Sequence, residues 1–344
     1  MLFIPLKDAQ EAQFLKDNDA IWQQRRRTTA NPAFNRPGVP GLLGGYVDLV
    51  GSYLRNDGVS NGFTGEARRF NLFVTSRIAN FIRLTSELEF EHGAREIALE
   101  TAAVDLLFHH AFNLRAGILL SPIGRFNLTH DSPLYDVIDR PLVSTRIIPA
   151  TLSEMGGGFF GALYPGGHKL TYEAYVVNGL GDGVIAAEGT RIAQGKRDDR
   201  FSADNNGVPS VVARVGYAAP PRPGRQIELG LSFYSGVYNT YQRDGLTIAD
   251  PKWLHIVAWD GDFVLGPVTL RGELAYAHID LPPGLTALHA SDQLGLYFEV
   301  SGAVFQVARR PAWFRVRLPE FFDQAALFLV ARVDYVDLNL NTRT

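Results

Sequence analysis

From Gly44 onward the chain alternates between apolar and polar residues with a period of two. That is the spacing of a β-strand whose two faces meet different surroundings. In 82–91, Ile82, Leu84, Ser86, Leu88 and Phe90 oppose Arg83, Thr85, Glu87, Glu89 and Glu91, so one face is charged at nearly every position. Comparable runs begin at Tyr46, Arg69, Leu114, Glu154, Lys169, Val211, Ile227, Val268 and Leu294. Two runs are less regular. Trp253–Val264 would place His255 on its apolar side, and Leu327–Leu338 mixes its faces. The pattern predicts about fourteen strands, too many for one sandwich. Short turns are expected at Ser76–Phe81, His109–Phe112, Pro165–His168, Ala219–Gly224 and Leu265–Pro267. Long polar connections are expected at Asn56–Gly65, Gly179–Pro209, Gly236–Pro251 and Asp280–Asp292. Connections short at one end and long at the other fit an antiparallel barrel that crosses a membrane.

Composition agrees. Of 344 residues, 46% are hydrophobic, yet no run of about 18 apolar residues exists to form a spanning helix. A mean hydropathy of -0.03 is expected when alternation hides the apolar face from averaging. Alternation cannot say whether that face meets lipid or a second sheet. Tyr46, Tyr53, Tyr164, Tyr217, Trp253, Trp259 and Tyr276, near strand ends, favour lipid, as interfacial aromatic girdles would. The net charge of -3 gives no case for nucleic acid, and the absence of cysteine excludes thiolate metal sites, disulfides and cysteine catalysis. His109 and His110 are adjacent and make a poor metal pair. GLGDG at 179–183 has no helix after it to hold a phosphate, and no Ser–His–acid set shares a face. No cofactor, metal or enzymatic activity is expected.

One stretch breaks the rhythm. Between the strand ending near Ser121 and the next, from Glu154, lies a long segment with prolines at 122, 133, 141 and 149. It carries Arg125, His130, Asp131, Asp136, Asp139, Arg140 and Arg146, together with Leu134, Val137, Ile138, Leu142, Val143, Ile147 and Ile148. A connection that long is functional or disordered, and its apolar content predicts that it folds back and packs. The ordered set GRFN at 124–127, HDSPLYD at 130–136 and DRPLVSTRIIP at 139–149 resembles the phosphate-selective porin O and P family of outer-membrane barrels. The Arg68–Arg69 pair and the late run ARVDYVDL at 331–338 are similar to that family too, and the likeness runs from about Gly44 to Asn341.

The resemblance implies a bacterial outer-membrane porin, a homotrimer of barrels with about sixteen strands each, in which the long segment folds into the lumen as a constriction. The last strand here would match the family's fourteenth, so two more are expected beyond Thr344. Met1–Lys7 is not a signal peptide, so the signal is expected to have been removed or the start codon to be misplaced. The chain then divides into residues 1–43, a helical and linker segment, and 44–344, the barrel. Arg25–Arg27 would cap the helix C-terminus or touch anionic lipid or lipopolysaccharide.

Arg68, Arg69, Arg83, Arg115, Arg214 and Arg271 are the candidate pore-lining anion contacts. By parity, Arg69 rather than Arg68 suits the lumen. Guanidinium is always charged and its planar fork matches phosphate or carboxylate. The competing reading is a salt-bridge lattice with Glu87, Glu89, Glu91, Glu228, Glu273 and Glu299, since rings of charge select only where one sign prevails. In the constriction, Arg125, Arg140 and Arg146 beside Asp131, Asp136 and Asp139 would form a mixed-charge eyelet, or pair with wall residues simply to hold the loop. The arginine ladder of phosphate-selective members is absent, because Gly236–Pro251 offers only Arg243. The expected function is passive passage of small hydrophilic solutes, leaning to phosphate or other small anions. The alternative is a partner-gated or closed structural barrel.

Overall fold

A computed structural model of the chain describes residues 41–285, 289–306 and 326–341. The expected N-terminal helix and its arginines lie outside these residues. Thirteen strands form one antiparallel sheet in sequence order. They are β1 (Gly41–Asn56), β2 (Val59–Ala79), β3 (Ile82–Glu91), β4 (Glu96–His109), β5 (Phe112–Leu120), β6 (Ser153–Leu163) and β7 (Lys169–Val177). There follow β8 (Ser210–Ala218), β9 (Arg225–Val237), β10 (Trp253–Leu265), β11 (Val268–Ile279), β12 (Asp292–Gln306) and β13 (Ala326–Asp337). The first strand thus begins at Gly41, three residues before the alternation becomes legible.

The sheet is inside out for a water-soluble fold. Val47, Leu49, Phe70, Val104, Phe159, Val215, Leu231, Trp259, Phe298 and Val333 are exposed on its outer face. Asn71, Arg83, Glu87, Glu89, Asp105, Asp260, Glu273 and Glu299 are buried on the inner one. In a sandwich the apolar faces would meet each other; here they face outward, which settles the question alternation left open. His255 sits on the outer apolar side, stacked on Trp253 and Phe233.

The connections fall as expected with one correction. Asn56–Gly65 is not a long loop. The chain reverses at Asp57–Gly58, both at positive φ (49° and 83°), and β2 begins at once. Asp-Gly is the residue pair that a two-residue hairpin turn demands, so the turn was written in the sequence. Residues 121–152, 178–209, 238–252 and 280–291 form the long connections at this same end of the sheet.

The segment 121–152 holds α1 (Arg125–Leu128) and α2 (Val143–Arg146) and lies within the curl of the sheet. Ser132 Oγ donates to Asp48 on β1 (2.9 Å), the Gly124 N–H to Ser232 on β9 (2.9 Å), and the Leu142 N–H to Asp334 on β13 (2.9 Å). One loop reaching the first, a middle and the last strand requires the sheet to wrap around it. Its Ile123, Val143, Ile147, Ile148 and Leu152 join Leu180, Val184 and Ile192 of the next long loop in one buried cluster. That cluster packs on Tyr175, Tyr234, Leu254, Ile256, Ala275 and Ala277 of the inner wall. Gly295 provides the seat for α2: a Cβ there would come within 2.9 Å of Ile147 and 3.0 Å of Val143.

Candidate functional site

The inner wall is organised by register. Pairing sets Arg83 opposite Asp105, Asp105 opposite Arg115, Arg69 opposite both Asp48 and Glu91, and Arg271 opposite both Asp262 and Glu299. Directly opposed side chains are the unit of sheet energetics, and opposite charges there attract. Alternation puts every one of these groups on the same face, so the lattice follows from sequence once the register is fixed.

At its centre Asp105, 1% exposed, accepts from Arg83 Nε (3.0 Å) and Nη2 (2.6 Å) and from Arg115 Nε (2.7 Å). Arg115 also lies over the Phe160 ring at 4.7 Å, a favourable cation–π geometry. Arg214 forms a fork with Asp260, 2.6 and 2.7 Å. It passes over Gly230, where a Cβ would sit 2.0 Å from Nη2. Arg271 meets Asp262 and Asp136 at 3.1 Å each and Glu299 at 3.6 Å. Arg69 contacts Glu91 (2.9 Å), Glu89 (3.3 Å) and Asp48 (3.7 Å), and donates to Ser132 and Tyr135 of the loop. Arg68 is the extra residue of a bulge between β1 and β2 and meets Glu66 of its own strand at 3.7 Å. Although it was a candidate pore-lining residue, it does not join the lumen lattice, because the bulge sets it off the inner face.

The loop's GRFN motif acquires a function at each position. Gly124 has φ +67°, and a Cβ there would lie 2.8 Å from the Glu273 carboxylate. Arg125 reaches Glu228 (2.6 Å) and Asp262 (3.0 Å). Burial works against its charge, but those two carboxylates outweigh it and hold its pKa above the ordinary value. The Phe126 N–H donates to Glu273 (3.0 Å). Asn127 closes the loop's base, donating to the carbonyls of Ser121 and Leu152 and accepting from the Leu152 N–H (2.7 Å). Gly124→Val is expected to lose roughly 1–3 kcal/mol of stability, from strain in the left-handed region and the clash with Glu273. A shift of the urea midpoint in refolding titrations measures it, and an unmoved midpoint would contradict the assignment.

The other loop residues singled out from the sequence divide. Asp136 binds Arg271 on the wall, and the Asp139 carbonyl accepts from Arg332 (2.7 Å). Arg140 Nη1 donates to the Ala150 carbonyl within the loop itself (2.9 Å). Asp131 is buried, whereas Arg146 is exposed. His130 is buried against Glu100 (2.6 Å). Burial opposes its protonation, but the Glu100 carboxylate prevails and raises the imidazole to about 9. In the second long loop Lys196 is pushed below its ordinary value by burial and then by Arg200.

Sequence reasoning missed Glu100, Asp105, Asp260 and Asp262. The first two lie on β4, where a bulge opposite Glu87 and Leu88 shifts the pairing so that Glu100 is the inserted residue. A bulge breaks the period of two on which the reading relied. The last two lie on β10, whose inner positions 254, 256 and 258 are buried and apolar, masking the parity.

Together these elements enclose a cavity of about 640 Å³. Seven basic residues line it: Arg83, Arg115, Arg125, Lys169, Arg214, Arg271 and Arg332. Five acidic ones do: Glu87, Glu173, Glu228, Asp262 and Glu299. It extends toward the short-turn end, where Tyr164, Tyr217 and Gln226 border it. Two of the carboxylates lie deeper than their partners, whereas Glu228, at 32%, is more exposed than Arg125, at 25%. Asp105 is 1% exposed against 29% for the Arg115 side chain, and Asp262 is 8% against 27% for Arg271.

No family model matches the chain. An uncharacterized protein of Aquifex aeolicus (strain VF5) is 29% identical over 232 residues, covering 64% of this chain and 51% of that protein. The chain therefore spans about half the length of that relative. Among solved structures, the anion-selective porin from Comamonas acidovorans is similar with a TM-score of 0.48 and 16% identity, over 78% of this chain and 75% of that one. Salmonella typhi OmpF gives 0.45 and 11%, over 77% and 75%. A loop-deletion mutant of OmpT, an outer membrane protein of Vibrio cholerae, gives 0.40 and 8%, over 87% and 95%.

Proposed function

We propose that the protein is a porin-like channel of the bacterial outer membrane, not an enzyme, passing small hydrophilic solutes with a preference for anions. The membrane assignment rests on the apolar outer face and the charged inner one, the arrangement a strand barrel needs in lipid. The anion preference rests on a single observation: the lumen cavity is lined by more cations than carboxylates, and Asp105 and Asp262 lie behind the guanidinium groups they support. Paired charges of equal exposure would select nothing; a paired arginine that faces the water still presents donors to a passing anion. The resemblance to the phosphate-selective porin O and P family supports phosphate among those anions and a homotrimeric state. Against dedicated phosphate selection stands the lone Arg243, exposed in a small hairpin away from the cavity lining.

The test is the reversal potential of the refolded protein in a planar bilayer under a KCl gradient. A chloride-selective value that weakens in Arg115→Ala and Arg271→Ala supports the reading; a neutral or cation-selective value overturns the anion preference. A second reading, a closed structural barrel, draws on the apolar cluster that the two long loops build against the wall. Absence of conductance from a folded, inserted barrel would favour it.

A further inference from the structure

One cluster in the lumen is used neither by the arginine lattice nor by the cavity's basic lining. Glu87 on β3, Glu100 on β4 and His130 of the constriction loop each bring one ligand-type atom to a common point, all within 4.8 Å of one another and all three residues buried. The bulge that inserts Glu100 turns its carboxylate to the inner face, a re-aiming for which strand bulges are suited.

Two further observations point to a ligand. First, a polar atom beside the cluster is buried without a hydrogen-bond donor: Asn71 Oδ1, on a side chain 0% exposed. The Asn71 carboxamide faces the cluster directly, since its Nδ2 donates to Glu87 Oε1 at 3.0 Å. Second, His130 is oriented as metal-binding imidazoles are. Its Nδ1 donates to the Asn127 carbonyl (3.0 Å), which fixes the ring and aims Nε2 at Glu100 (2.6 Å).

We propose that Glu87, Glu100 and His130 form a divalent metal site, with Asn71 completing its surroundings. One imidazole with carboxylate oxygens suits a borderline ion such as Zn²⁺ better than Ca²⁺, which takes oxygen donors alone. The ion replaces the proton between His130 Nε2 and Glu100 and balances the gathered carboxylates. Because two ligands stand on the wall and one on the loop, it clamps the constriction loop to β3 and β4. This site is independent of the channel reading, and its test does not involve conductance.

The test uses the refolded full chain, stripped with a chelator and titrated with Co²⁺, whose visible d–d bands report its coordination. Expected is one Co²⁺ per chain with bands of nitrogen and oxygen ligation, displaced by Zn²⁺. Those bands are lost in Glu100→Gln and in His130→Ala, and retained in His278→Ala, which removes an exposed histidine. Heat-modifiable migration on gels verifies folding of each variant, and the near-isosteric Glu100→Gln keeps the test decisive if His130→Ala fails to fold. Absence of Co²⁺ uptake by the stripped wild type, or unchanged bands in Glu100→Gln, would overturn the site.

Discussion

Asp105→Ala is expected to destabilise the barrel by about 3 kcal/mol, one of the largest effects of any single substitution in the lumen. Asp105 is the only carboxylate drawn on by both Arg83 and Arg115 among the described residues, and it accepts through both oxygens. Removing it leaves two cations, on β3 and β5, facing each other across β4 without the carboxylate that joins them. Breaking a buried pair from one side costs roughly 3–5 kcal/mol, and the low end applies because water reaches part of Arg115. The urea midpoint of unfolding measures the loss. Replacing Asp105 by Leu together with Arg83→Met and Arg115→Met should recover much of it, because both uncompensated charges go with the carboxylate. A midpoint for Asp105→Ala equal to that of wild type would show that the lattice carries no stability.

Ile147→Asp is expected to raise single-channel conductance severalfold and to make the current noisy. Ile147 and Ile148 are fully buried, and Ile147 packs over Gly295 on the wall. Burying an ionised carboxylate there costs several kcal/mol, comparable to what the contacts of one such isoleucine contribute, about 2–5 kcal/mol. The cheaper outcome is that α2 leaves its seat while the hydrogen-bonded sheet stays intact. Ile147→Ala makes the milder comparison, a cavity without a charge, and should alter noise more than mean current. An unchanged conductance in a folded Ile147→Asp barrel would mean that the cluster does not limit the path.

Local pattern was enough to mark most of the strands and turns and their two faces; β4, where the bulge at Glu100 breaks the period, had no legible run. A period of two needs no long-range information, and a face charged at 83, 85, 87, 89 and 91 cannot share surroundings with one that is Ile, Leu, Ser, Leu and Phe. It also marked 121–152 as the segment that breaks the rhythm and packs inward, because its isoleucines and leucines had to be covered by something. The Asp57–Gly58 turn was equally local and was missed only because polar neighbours on both sides looked like loop. Tertiary structure alone decided the rest. Whether the apolar face looks outward is a property of how the sheet curls. Which arginine meets which carboxylate depends on register, and a one-residue bulge at Glu100 is enough to change the partners. The convergence of Glu87, Glu100 and His130 joins two strands to a loop, contacts between residues distant along the chain. Local pattern fixes what each residue prefers; only the folded path of the chain fixes whom it meets.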